Sequence, residues 1–235
     1  MSSIKRDKPR EILFTPNINP YATGSVMAEF GNTKVHITAT VEDDVPGWLR
    51  GRGTGWVTAE YSMLPGSTHD RVRRERKGTG GRTMEIQRLI ARCLRAAVDM
   101  EKLGERLITV DCDVLVADGG TRTTSISGGY IALAIAINKL LKDGVIETNP
   151  LVHQVAALSV GINSDGDVIA DLNYEEDSSC HTDMNVVMTQ SGDFVEVQGT
   201  AEGKPFTPTQ LENLLTCSKT AMEPIFKAQN EIINQ

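Results

Sequence analysis

Cysteine is scarce in this chain: four in 235 residues, at positions 93, 112, 180 and 217, with no Cys-x-x-Cys pair. That usage disfavours a disulfide framework and a zinc site, and it fits a reducing cytoplasm. Long apolar runs are also missing. The longest, Tyr130 to Ile137, is far too short to span a bilayer, so no membrane partner is expected. The opening Met1-Ser-Ser-Ile-Lys-Arg-Asp-Lys is polar and lacks the apolar core of a secretory signal. Positive charge is not in excess: the formal net charge is −7, which argues against a uniformly basic nucleic-acid binder. No Walker A Gly-Lys-Ser/Thr and no Gly-x-Gly-x-x-Gly spacing occurs, and neither a Ser-His-Asp arrangement nor an activated cysteine is apparent. What remains is an ordinary globular composition, long enough for one large domain or two small ones packed together.

The first third alternates as strands. Gly24–Gly31 and Thr33–Val41 flank a Gly31-Asn32 hairpin signal, and Trp56–Tyr61 follows. His69 to Gly81 is polar, charged and glycine-rich, and reads as a long loop. Thr83 to Met100 reads as a helix, with Ile86, Leu89, Ile90, Cys93, Leu94, Ala97 and Val98 at 3.6-residue spacing. A strand at 107–116 and a helix at about 122–142 precede Asn149-Pro150, the best boundary in the chain. Strands at 155–162, 168–172, 184–189 and 194–198 and a helix from about Thr207 repeat the order of the first part. Strands followed by helices, twice, indicate an α+β fold of two similar halves, 1–148 and 149–235.

Three segments carry chemistry. Asp118-Gly-Gly-Thr-Arg-Thr-Thr-Ser125 lies between the strand and a helical run, Ile126 to Leu141, that is almost free of charge. A strand turning through glycines into a helix N-terminus, with hydroxyls and the fixed fork of Arg122, makes an anion site. The same residues also suit an ordinary turn with Thr as N-cap, and the segment alone does not choose. Arg71-Val-Arg-Arg-Glu-Arg-Lys77 concentrates positive charge, either as a grip on a polyanion or as a solvated loop. Arg82 falls at a helix start, where a cation is disfavoured unless an anion lies beside it. Asp177 and Asp183 bracket a stretch expected to be a loop leading into a strand, with Glu175 and Glu176 just before. Convergent carboxylates suit Mg²⁺ or Mn²⁺, or a protonated acid; they also suit an exposed acidic turn. His181 reads as a surface residue. Together these features suit phosphoryl transfer, which needs anion neutralisation and protonation of a leaving oxygen.

The chain resembles the ribonuclease PH family in blocks running from about Gly24 to Ala201: Glu29-Phe-Gly-Asn-Thr-Lys-Val35, Gly55-Trp-Val-Thr-Ala-Glu-Tyr-Ser-Met-Leu-Pro65, Gly80-Gly-Arg-Thr-Met-Glu-Ile-Gln-Arg-Leu-Ile-Ala-Arg92, Asp118-Gly-Gly-Thr-Arg-Thr123 and Thr182-Asp-Met-Asn-Val-Val-Met188. The resemblance implies a ribosomal-protein-S5-domain-2-like fold of two βαβ-type halves with mixed sheets. It implies a phosphate-dependent 3′→5′ exoribonuclease, a tRNA nucleotidyltransferase. Such an enzyme trims tRNA precursors, structured rRNA and other RNA 3′ ends, releases nucleoside diphosphates, and can run in reverse. By the same resemblance Arg82, Gly120, Thr121, Arg122 and Thr123 hold the inorganic phosphate co-substrate, and Asp177 and Asp183 are the catalytic and metal-associated carboxylates. Arg71, Arg73, Arg74 and Arg76 grip RNA, and six subunits form a ring, a trimer of dimers. The alternative is a catalytically inactive RNA-binding ring subunit of an exosome-like complex. Such subunits commonly lose the phosphate arginines or the carboxylates, whereas Arg82, Arg122, Asp177 and Asp183 are all present here. The opening departs from the family: Lys5-Arg-Asp-Lys-Pro-Arg10 is shorter than the usual basic arm and lacks its glycine.

Overall fold

A computed structural model describes residues 4–75, 78–202 and 204–234. Two five-stranded sheets organise it. In the first, β2 (Ile12–Pro16), β3 (Gly24–Phe30), β4 (Thr33–Glu42) and β6 (Leu107–Val116) run antiparallel, and β5 (Trp56–Met63) closes the edge parallel to β6. The expected hairpin is there, with Phe30 opposite Thr33 and Gly31 at positive φ in the turn. Alternation along β4 buries Val35, Ile37 and Ala39 on one face, as the period-two pattern requires.

The second sheet has the order β1 (Ile4–Arg6), β8 (Val168–Ala170), β7 (Val155–Ile162), β9 (Thr182–Thr189) and β10 (Phe194–Ala201). Strand β1 comes from the extreme N-terminus yet pairs in parallel with β8, so the first residues of the chain belong by hydrogen bonding to the second sheet. Every residue of β7 is buried; helix α3 (Thr121–Lys142) and helix α5 (Pro208–Ile233) both pack against it. One hydrophobic cluster runs through both sheets and these helices.

Helix α3 is, by length and composition, apolar enough to cross a membrane, which the eight-residue run in the sequence did not suggest. It is instead a core helix: 78% of its most apolar stretch is buried, against β3, β4, β6, β7, α1 (Gly81–Arg95) and α5. Helix α1 also differs from its expected span of Thr83 to Met100. It stops at Arg95, and the chain turns so that Asp99 accepts from Glu101 N (3.1 Å) and Lys102 N (3.2 Å), capping a separate short helix, α2 (Met100–Leu103). The Asp99 N–H is taken by Pro150 O at 2.8 Å, which ties this corner to the segment joining the halves.

Candidate active site

The turn at 118–120 is shaped by two left-handed glycines, Gly119 (φ 74°) and Gly120 (φ 65°). Gly119 is needed for a reason other than ligand approach: a Cβ there would lie 2.6 Å from the carbonyl carbon of Asn173, so the turn packs directly on the backbone of the second half. Gly120 is the N-cap of α3, with no side-chain cap. The first intrahelical bond runs from Thr124 N to Gly120 O at 2.9 Å, which leaves the N–H groups of Thr121, Arg122 and Thr123 as open donors at the positive end of the dipole.

Three of the four hydroxyls in this segment are turned inward. Thr123 Oγ1 and Thr124 Oγ1 each donate to Gly120 O at 2.9 Å, Ser125 Oγ donates to Thr121 O at 2.8 Å, and all three residues are fully buried. What Thr123 can offer a ligand is therefore its backbone N–H. Thr121 Oγ1 instead meets the Tyr61 hydroxyl at 2.8 Å. Removal from water raises the Tyr61 pKa above its usual value, although the bond to Thr121 and the charges of Arg82 and Arg122 oppose the rise.

Arg122 follows with its side chain mostly covered, Nη1 3.7 Å from Glu85 Oε1 of α1. Gln198 of β10 donates to the same carboxylate at 3.1 Å, so Glu85 joins the two halves beside Arg122. Arg82, second residue of α1, is exposed and lines a cavity of about 530 Å³ with Tyr61, Arg73 and Arg74. Glu75 anchors that wall by accepting from Gly80 N (3.0 Å) and Thr83 Oγ1 (2.9 Å). Arg71 is exposed in the same loop, and Arg76 lies outside the described residues.

Asp177 does not sit in a loop, as its sequence surroundings suggest, but on a short helix, α4 (Tyr174–Ser179). Asn173 accepts from Glu176 N at 2.8 Å and Glu176 Oε2 accepts from Asn173 N at 3.0 Å, a reciprocal cap that converts part of the acidic cluster into a helix start. Asp183 lies on β9, opposite Thr200 of β10 and Gly161 of β7. Asp177 remains open to solvent. Partial withdrawal from water and then the charge of Asp183 nonetheless raise its pKa above the usual value, with Arg122 and Arg82 pulling the other way. Asp183, Arg122 and Arg82, each from a different element, are thus close enough for their charges to act on Asp177. His181 is exposed, as expected. Among the described residues no group of three or more His, Cys, Asp or Glu side chains is arranged to hold a metal. All four cysteines are free and buried, and burial lifts the thiols of Cys180 and Cys217 to about 11, too high for a nucleophile at neutral pH.

Residues 8–137 match domain 1 of the 3′ exoribonuclease family and residues 153–221 match domain 2. The chain belongs to the 3′ exoribonuclease family. A ribonuclease PH of Bdellovibrio bacteriovorus is 54% identical over 229 residues, 97% of this chain and 94% of the relative. Two solved structures share the fold. Rrp46 of rice (Oryza sativa) superposes with a TM-score of 0.79 at 17% identity, covering 98% of both chains. A chain of the Archaeoglobus fulgidus exosome, solved with RNA bound to its active site, gives 0.76 at 20% identity, over 94% of this chain and 89% of its own. At those identities the two structures speak to the fold alone.

Sequence reading passed over four residues that organise this site. Arg6, Arg10 and Asp171 bind the turn and α4 together, and Tyr61 supports Thr121. The capping pair Asn173-x-x-Glu176 was legible as a helix signal. Nothing in local sequence links Arg10 to Asp171, 161 positions away.

Proposed function

We propose that this exoribonuclease is phosphorolytic: it trims the 3′ ends of tRNA precursors, and of structured rRNA, with inorganic phosphate as the attacking group. The observation that carries this reading is the uncapped N-terminus of α3, with Arg122 beside three free N–H donors and its charge, with that of Arg82, acting on Asp177. Phosphate held there is neutralised by Arg122 and Arg82 while its oxygen attacks the last phosphodiester of the RNA. A P–O bond forms to the phosphate oxygen and the bond to O3′ of the preceding nucleotide breaks. The terminal nucleotide leaves as a nucleoside diphosphate. The departing O3′ needs a proton, and Asp177 retains one more readily than an isolated aspartate does. Every step is reversible, so the same site extends RNA from nucleoside diphosphates.

As an alternative to proton donation by Asp177, the ionised Asp177 and Asp183 would offer hard oxygen ligands that suit Mg²⁺ or Mn²⁺. Such an ion supplies neutralisation of the charge on the reacting phosphoryl oxygens. The exposed Arg71, Arg73 and Arg74 supply backbone grip along the cavity that reaches Arg82. In this reading residues 1–148 bring phosphate and RNA together and 149–235 bring the carboxylates. The protein works in the cytoplasm as a homohexamer, a trimer of dimers. Exposed Leu13, Tyr21, Trp48 and Phe194 are available for subunit contacts. A silent ring subunit is disfavoured because both arginines and both carboxylates are present.

The test is Arg122→Ala. Its kcat/KM for phosphate should fall on the order of 100-fold, with RNA affinity in the absence of phosphate little changed. An RNA-affinity loss equal to the activity loss would contradict the assignment.

A further inference from the structure

The N-terminal arm reaches the active site by an unexpected route. Arg10, with its side chain only 12% exposed, forms a two-pronged ion pair with Asp171: Nε donates to Oδ2 and Nη2 to Oδ1, both at 2.9 Å. The backbone N–H of Arg10 donates to the same Oδ2 at 2.9 Å. The remaining prong, Nη1, donates to Asp118 O at 2.6 Å, at the first residue of the glycine turn. Asp171 is completely buried and sits at positive φ (54°), an uncommon backbone conformation for a non-glycine residue. It ends strand β8, two residues before the cap of the helix that carries Asp177. One guanidinium therefore holds the phosphate turn on one side and the base of the carboxylate helix on the other.

A second arginine of the arm repeats the device. Arg6 donates to both oxygens of Glu176 (2.9 and 2.7 Å) and to the carbonyls of Ala170 (2.9 Å) and Asp171 (2.8 Å). Glu176 immediately precedes Asp177 and forms half of the α4 cap. The turn answers from its own side: Asp118 Oδ1 accepts from Tyr174 N at 3.2 Å, at the start of α4.

We infer that Arg10 is a positioning residue for phosphorolysis: through the buried Arg10–Asp171 pair it sets the distance and tilt of the phosphate turn relative to Asp177, with Arg6 bracing α4 from outside. Each guanidinium nitrogen of Arg10 already bonds Asp171, Asp118 or Gly119. Its effect passes through the Asp118 carbonyl to the α3 N-terminus and through Asp171 to α4. Lysine at this position keeps the charge opposite Asp171 but cannot span both partners, because it is a point donor and not a planar fork. Reacting groups held loosely lose rate steeply with small displacements.

The inference rests on the phosphorolytic reading of the cleft, and the experiment separates the two. Arg10→Lys is compared with the parent and with Arg122→Ala for kcat, KM for phosphate, RNA affinity without phosphate, and thermal midpoint. Arg10→Lys should raise the KM for phosphate roughly tenfold while leaving RNA affinity unchanged. A residue that merely stabilised the fold would lower the active fraction and leave that KM alone. Should Arg10→Lys fold poorly, the double variant Arg10→Gln/Asp171→Asn removes both charges while Asn tolerates the positive φ. It too should show the raised phosphate KM. A parental phosphate KM in whichever of these variants folds overturns the positioning role. Parental phosphate use by Arg122→Ala overturns the reading of the cleft itself.

Discussion

Asp177 shows how a single carboxylate couples stability to chemistry. Its pKa is raised, so between the ordinary Asp value and the raised one the folded chain binds this proton more tightly than the unfolded chain does. Stability from this group therefore falls as pH rises through that window. Asp177→Asn removes the charge that the cleft disfavours, and its thermal midpoint should equal or exceed the parent's while turnover drops roughly 10²- to 10⁴-fold, the usual range for loss of an acid–base group. If Asp177 donates the proton to O3′, phosphorolysis should decline as pH rises past its raised pKa. A rate that climbs through that range assigns the carboxylate to cation binding instead. Glu176 behaves oppositely: burial opposes, but the Arg6 hydrogen bonds hold its pKa below normal, so its contribution is present above the ordinary Glu value and lost in acid. That Arg82 and Arg122 stand at helix starts and that Asp177 and Asp183 lie near one another was legible in the sequence, because charge at a helix start and crowded acids are both locally anomalous. Arg10 and Asp171 were not legible, because a buried ion pair across 161 residues leaves no local mark.

Among the elements, local chemistry foretold the spans wherever it also decided them. The β3–β4 hairpin, β6, α3 and the Pro208-led α5 stand where alternation, the glycine turn and the Thr207 cap place them. The misses share one cause, a cap or a partner overriding periodicity. Helix α1 ends five residues before Met100, and α4 forms from a cap inside an acidic run. Strand β8 stops at Ala170 because Asp171 turns left-handed to meet Arg10. Strand β1 has too few residues to show any period, and its place is fixed by β8. The loop leading to α1 is held at its base by Glu75, with Arg73 and Arg74 directed along the cavity wall to Arg82. Reversing both charges, Arg73→Glu with Arg74→Glu, should weaken tRNA binding and flatten its dependence on salt, by about one logarithmic unit of slope for each RNA phosphate no longer neutralised. Equal, salt-independent binding by variant and parent would make this loop an ordinary solvated surface.

At the scale of the whole molecule, the two sheets share one core, and the candidate site draws on α1 and α3 beside the first sheet and on α4 and β9 of the second. The phosphate turn and Arg82 come from the first half, the carboxylates come from the second, and the N-terminal arm crosses between them. In the proposed reading, neither half alone holds both the phosphate-binding arginines and the carboxylates. That division explains why Arg10 is committed to joining the halves rather than to solvent, while Arg6 braces α4 within the second. It also explains why Gly119 packs on the backbone of Asn173: the turn has to approach the second half closely for Asp177 to face Arg122. The central claim, that the anion at the α3 N-terminus is the attacking group, is tested most directly by the products released from a tRNA precursor with and without inorganic phosphate. Phosphorolysis predicts trimming only when phosphate is present, with nucleoside diphosphates released. Nucleoside monophosphates formed without phosphate would contradict it.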